Sequence, residues 1–256
     1  MHDTSTSSQV QQIGQMLLNA YEQTTTAPGA SIDVSQTVQS GTDPIAEAKG
    51  SYTVWFKART GQTSLTLQGP NGSTTLVAIR AGSAFYSAKT QDKLSGNRMD
   101  LAAVGRGDPT KLPQIQAPGV DPFQLTTLLG AVQWPDTVKS LGPVVVDDST
   151  GRHTEYQITI DTARLATHQD ATDRAWLQAM ASEPRGDLVT LETTVQNGRI
   201  DKITASLPIP AAPIPKIQPG KRSAPATPAY QTPPPASVVI TEQFDYSAQP
   251  APVHQP

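Results

Sequence analysis

Between residues 8 and 25 the apolar positions Val10, Ile13, Leu17 and Ala20/Tyr21 recur at three- and four-residue intervals. That spacing puts them on one face and predicts an amphipathic helix. Ser7 or Ser8 is placed to cap its start, residues 1–7 precede it as a polar tether, and Pro28-Gly29 ends it. From Ile32 the period changes to two. Ile32, Val34 and Val38 alternate with Asp33, Ser35 and Thr37. Tyr52, Val54 and Phe56 alternate with Thr53, Trp55 and Lys57. Leu65 and Leu67, then Val77 and Ile79, repeat the pattern, and Phe85-Tyr86 forms a short β-prone stretch. Alternation with one polar face predicts antiparallel sheet. Thr60-Gly61, Pro70-Asn71-Gly72-Ser73 and Ala81-Gly82 read as the turns of a meander.

Residues 89–120 lose all periodicity. Asp121-Pro122 then reads as an N-cap and first turn for a short apolar helix carrying Phe123, Leu125, Leu128, Leu129 and Val132. Val138 and Val144–Val146 predict a strand, and Tyr156, Ile158 and Ile160 predict its partner across a turn at 147–151. Residues 162–183 read as one helix or a pair, packing through Leu165, Ala175/Trp176, Ala179 and Met180. Val189, Leu191, Thr193 and Val195 predict a strand, and Asn197-Gly198 a tight hairpin into the next, Ile200–Leu207. Residues 208–235 hold ten prolines. Each removes a ladder donor, so this segment is expected as an extended insertion loop rather than a strand. Val238-Val239-Ile240 opens a last strand toward Phe244 and Tyr246, followed by a tail, 249–256.

The expected architecture is α+β: one domain, residues 8–248, with a curved antiparallel sheet and helices packed on its concave face. Charge narrows the function. Nineteen Lys plus Arg stand against 22 Asp plus Glu, a net charge of -3, with no basic run. That argues against nucleic acid as a partner. No apolar stretch approaches the ~20 residues of a membrane span, and no hydrophobic signal-peptide core opens the sequence. There is no cysteine, so disulfides, thiolate metal sites and cysteine nucleophiles are excluded. A surface rich in Ser, Thr, Gln, Ala and Pro points outside the cytoplasm.

Candidate chemistry is sparse. His2, His153, His168 and His254 show no metal-ligand spacing, so no metal or other cofactor is expected. Arg106-Gly107-Asp108 spells an adhesion tripeptide, and Asn71-Gly72-Ser73 a glycosylation sequon better read as a turn. Asp147, Asp148 and Glu155 are the one carboxylate cluster suited to acid–base work, in a composition typical of a solvated turn. Neither a Gly-x-Ser-x-Gly elbow nor a phosphate-binding loop is present. No catalytic residues are therefore assigned.

Five passages together resemble the LolA/LolB superfamily, specifically the actinobacterial lipoproteins of the LppX/LprG type. They are the N-terminal helix before Ile32-Asp33-Val34, Ala84–Lys89, Asp121–Leu125 with Leu128-Leu129, Gly151–Ile158, and the hairpin Val195–Ile203. The resemblance spans roughly residues 8–248. It implies an unclosed half-barrel, and a non-enzymatic, exported lipoprotein of the cell envelope that binds or transports lipid or lipoprotein acyl chains in an apolar cavity under the sheet. It also implies a signal peptide and attachment to the cell membrane through a lipid-modified N-terminal cysteine, which is not among these 256 residues. The expected cavity wall is Val34, Val54, Phe56, Leu65, Val77, Ile79, Phe85, Phe123, Leu128, Ile158, Trp176 and Leu191. Two alternatives stay open. One is a protein-interaction or sensor module of the envelope with a filled core and a protein partner. The other is a hydrolase with a dispersed site.

Overall fold

A computed structural model describes residues 3–69, 72–90, 93–94, 98–101, 118–148, 151–209 and 236–247. The first helix, α1 (Asp3–Thr25), begins five residues before the periodic stretch. Five strands follow: β1 (Ala30–Ser40), β2 (Asp43–Trp55), β3 (Thr60–Gly69), β4 (Gly72–Ala81) and β5 (Ala84–Ala88). A short β6 (Arg98–Asp100) lies in the stretch without periodicity, where three residues are too few to show a pattern. Then come α2 (Gln124–Leu129), two 3₁₀ turns, β7 (Val138–Asp148), β8 (Gly151–Asp161), α3 (Thr162–His168) and α4 (Ala171–Ser182). The hairpin β9 (Leu188–Gln196) and β10 (Arg199–Pro208) and the last strand β11 (Ala236–Asp245) complete the order.

All eleven strands join one sheet, in the order β6-β5-β4-β3-β2-β1-β11-β10-β9-β8-β7. Every pairing is antiparallel. β6 and β7 remain unjoined edges, so the sheet is curved but not closed. The last strand fills the centre and zips the two meanders together through β1 and β10. Pro143 sits in the edge strand β7, where a missing ladder donor is tolerated.

Turn chemistry explains several connections. Asn197 (φ 51°) and Gly198 (φ 75°) supply the two positive-φ residues of a tight hairpin. The β2–β3 turn is not at Thr60-Gly61, which lie in β3. It falls at residues 56–59 with Arg59 in the left-handed region, so Phe56 is a turn residue. Asp121-Pro122 is not a helix cap. α2 starts at Gln124, and the Asp121 carboxylate instead accepts the Phe123 backbone N–H at 3.0 Å. The 162–183 stretch is a pair of helices, each capped by an aspartate: Asp161 accepts from Arg164, and Asp170 from Thr172 and Asp173.

One face of the sheet carries the core. Cross-strand partners share a face, so the register links Leu65–Gly50–Val34–Glu242–Ile203 in one row and Thr63–Tyr52–Ile32–Phe244 in the next. α1 lies across β10 and β7 and buries Ile13, Leu17, Ala20 and Thr24 against this concave face. Leu125, Leu128 and Leu129 of α2 and Trp176, Leu177 and Met180 of α4 complete the same cluster. The convex face of β8 to β11 is polar, with threonine pairs such as Thr159–Thr190 and Thr204–Thr241.

Candidate functional site: the strap over the concave face

Ten of the twelve expected wall residues share the concave side. Val34, Val54, Phe56, Leu65, Phe123, Leu128, Ile158, Trp176 and Leu191 belong to one continuous cluster. Phe85 is buried beside it with Ala78, Leu101 and Val120. Val77 and Ile79 are the exceptions. They face the convex side and pack with Tyr86, Ala88 and Leu94. The register requires this, because Leu65 pairs with Leu76 and Thr63 with Ala78. The inward set of β4 is therefore Leu76, Ala78 and Arg80.

Arg80 is the reason for the reversal. It is a charged residue placed as if it were core, with its side chain 1% exposed. One guanidinium nitrogen donates to Asp121, and another donates to Asp173 at 2.8 Å. Asp173, on α4, also accepts from Arg59 of the β2–β3 turn. Burial on its own would lower the Arg80 pKa, but the two carboxylates outweigh it and raise the value. Both guanidinium groups also lie over the Phe123 ring, at 5.6 Å for Arg59 and 5.3 Å for Arg80. The network ties together β4, the β2–β3 turn, α4 and the segment leading into α2.

That segment, Gly119–Asp121, is a strap. Four side chains from four consecutive strands bond to it: Gln36 and Tyr52 to the Gly119 carbonyl, Thr63 to the Val120 carbonyl at 2.8 Å, and Arg80 to Asp121. Gln124 closes the loop by accepting the Gly119 N–H at 2.6 Å. Beside the strap, on β11, Glu242 is 1% exposed, and its Oε2 is buried without a hydrogen-bond partner. Burial, with Asp121 adding to it, pushes the Glu242 pKa well above the usual carboxylate range. The Glu242 carboxyl therefore keeps its proton to higher pH than an exposed glutamate does. Burial first, then the proximity of Glu242, likewise raises the Tyr52 pKa well above the ordinary phenol value.

A second concavity lies outside the core. A groove of about 400 Å³ runs between α1 and the edge strand β7, lined chiefly by Val10, Gly14, Leu18, Val132, Pro135 and Leu141. Val10, expected on the buried face of α1, is 40% exposed there.

Among the described residues the remaining sequence candidates do not assemble a reactive centre. Glu155 bonds Lys202 at 2.7 Å and lies 3.4 Å from His153. Burial would raise the Glu155 pKa, but these two partners lower it. Asp147 is exposed, on β7. His168 stacks on Trp134 and pairs with Asp136 at 3.2 Å. Arg106-Gly107-Asp108, Asn71, His2, His254, residues 210–235 and the tail from 248 onward lie outside the described residues. Among the described residues no cluster of three His, Cys, Asp or Glu is arranged to hold a metal, and no helix is long and apolar enough to cross a membrane.

No protein-family model and no curated protein matches the chain. Among solved structures it is similar to the crystal structure of LprF from Mycobacterium bovis. The identity is 13%, the TM-score 0.43, and the match covers 96% of this chain and 97% of that one.

Proposed function

We propose that this protein is a non-enzymatic acyl-chain binder of the cell envelope, and that a lipid tail lies on the concave face of the sheet under α2, α4 and the strap. The observation that carries the reading is the make-up of that face. Apolar side chains from β1, β2, β3, β8, β9, β10 and β11 form one continuous surface, covered by helices and a strap rather than by a second sheet. Solubilising an acyl chain requires such a surface. Each CH₂ taken from membrane to water costs ~0.8 kcal/mol, so a sixteen-carbon chain costs roughly 12 kcal/mol. The cover is also fastened in a separable way, by hydrogen bonds and ion pairs concentrated at Gly119–Asp121. The resemblance to LppX/LprG-type lipoproteins, quoted on the sequence, supports export, an envelope location and a lipid anchor.

One observation favours a second reading, an interaction module of the envelope. The expected wall residues are packed against one another, and the apolar groove is on the surface beside an unpaired strand edge. In that reading the core stays filled and a protein partner occupies the α1–β7 groove.

Native mass spectrometry of protein purified from its own host, before and after solvent extraction, separates the two. The lipid reading expects an added mass that extraction removes and that yields fatty acyl chains on hydrolysis. Protein that carries no acyl lipid and takes up none from micelles overturns it.

A further inference from the structure

The middle of the concave face is apolar across β1, β2, β3 and β11 except at Gln36, Tyr52, Thr63 and Glu242. Two of these converge on a single oxygen. The Gly119 carbonyl accepts from the Tyr52 hydroxyl and, at 2.7 Å, from Gln36 Nε2, and the two donors stand 3.3 Å apart. Both side chains are buried. The backbone enters this cradle only because residue 119 is glycine. Its φ is +79°, and a Cβ would lie 2.3 Å from Gln36 Nε2 and 2.9 Å from Ile240 Cδ1. The cradle therefore has room for a carbonyl group and little else.

The geometry points to a carbonyl-binding subsite for a neutral acyl ester. When the strap lifts, Tyr52 Oη and Gln36 Nε2 receive the ester carbonyl where the Gly119 oxygen now sits, while the acyl chain runs along the apolar rows to either side. The strap is in this sense an internal stand-in for the ligand. An ester oxygen and a peptide oxygen present the same planar acceptor to the two donors. The orphaned Glu242 oxygen finds its partner at the same end of the ligand. Charge selects among acyl compounds: a carboxylate would need a cation at the cradle, and Arg80 beside the strap already serves both Asp121 and Asp173. A fatty-acid anion is disfavoured there and an ester is not.

This subsite rests on the acyl-chain reading, and the test separates the two. Methyl hexadecanoate and heptadecane are offered from detergent micelles to the full chain and to the variants Tyr52→Phe, Gln36→Leu and their combination. Each affinity is corrected for the probe's partition into detergent. The readout is the ester-over-hydrocarbon ratio, in which any general loosening of the strap cancels. The wild-type ratio is expected to be about tenfold, the factor that 1.4 kcal/mol represents and a reasonable net for two hydrogen bonds. The double variant is expected to bring it near one. With a ¹³C-carbonyl ester, the bound carbonyl resonance of the wild type moves downfield of its position in detergent. That measurement decides the matter if the variants do not fold. A ratio that the variants leave unchanged, or an unshifted carbonyl, overturns the subsite alone. If neither probe binds the wild type, the acyl-chain reading falls and the subsite with it.

Discussion

Replacing Arg80 with alanine removes one side chain and strands two acids. Asp121 is 1% exposed and is paired with Arg80; Asp173 is fully buried and keeps only Arg59. Removing one partner of a buried pair costs about 3–5 kcal/mol, because the remaining charge is left uncompensated. Arg59→Ala is the control. Arg59 is 39% exposed, and its loss still leaves Asp173 bonded to Arg80, so its expected cost is no more than about 1 kcal/mol. In a domain of this size 1 kcal/mol moves Tm by about 2–4 °C. Arg80→Ala should therefore lower Tm by about 6–20 °C, and Arg59→Ala by only a few degrees. Urea and thermal unfolding followed by tryptophan fluorescence read both, since Trp176 lies in α4 near Asp173. Combining Arg80→Ala with Asp121→Ala should recover much of the loss, because the charge most fully stranded is then also gone. The reasoning is refuted if Arg80→Ala is no worse than Arg59→Ala, or if the second substitution restores nothing.

Glu242 and the strap give two further expectations. Glu242 holds its proton in the folded chain at a pH where the unfolded chain has released it, so its contribution is fully present below pH ~4.3 and is lost as pH rises toward the raised folded value. Between the unfolded and the raised folded value wild-type stability should fall by up to about 1.4 kcal/mol per pH unit more steeply than that of Glu242→Gln, and urea midpoints that stay parallel as pH rises from the unfolded value would contradict this. Gly119→Ala combines a positive φ with the Cβ clash against Gln36, for a cost of about 1–3 kcal/mol. Amide exchange at Val120, Asp121 and Phe123 should quicken while that of β1 and β2 does not, and uniform exchange across the domain would count against a local strap.

The meander was legible because its signals were local. Alternation over Ile32–Val38 and Tyr52–Val54, and the Asn197-Gly198 turn, each specify their own geometry. The face of β4 was not. Leu76, Val77, Ala78 and Ile79 are apolar on both parities, and the arginine that follows them is a residue type almost never fully buried unless paired. Its burial rests on Asp121 and Asp173, 41 and 93 residues away, and no window of sequence contains that pairing. The same holds for Gln36 and Tyr52. A glutamine between Ser35 and Thr37 reads as surface, and a tyrosine in an apolar register reads as core. Only the strap, bonded across 83 and 67 residues, shows them as a donor pair. Asp121-Pro122 carried a true turn signal, but the aspartate is held by Arg80 instead of capping a helix.

The central claim is that an acyl chain lies on the concave face. The most direct measurement is isotope-filtered NMR on the methyl-labelled protein with a ¹³C-labelled hexadecanoyl ester. The account predicts contacts from the chain to the methyl groups of Val34, Leu65, Leu128, Ile158 and Leu191. Contacts confined to Val10, Leu18 and Leu141 in the outer groove, or none to any methyl group, would contradict it.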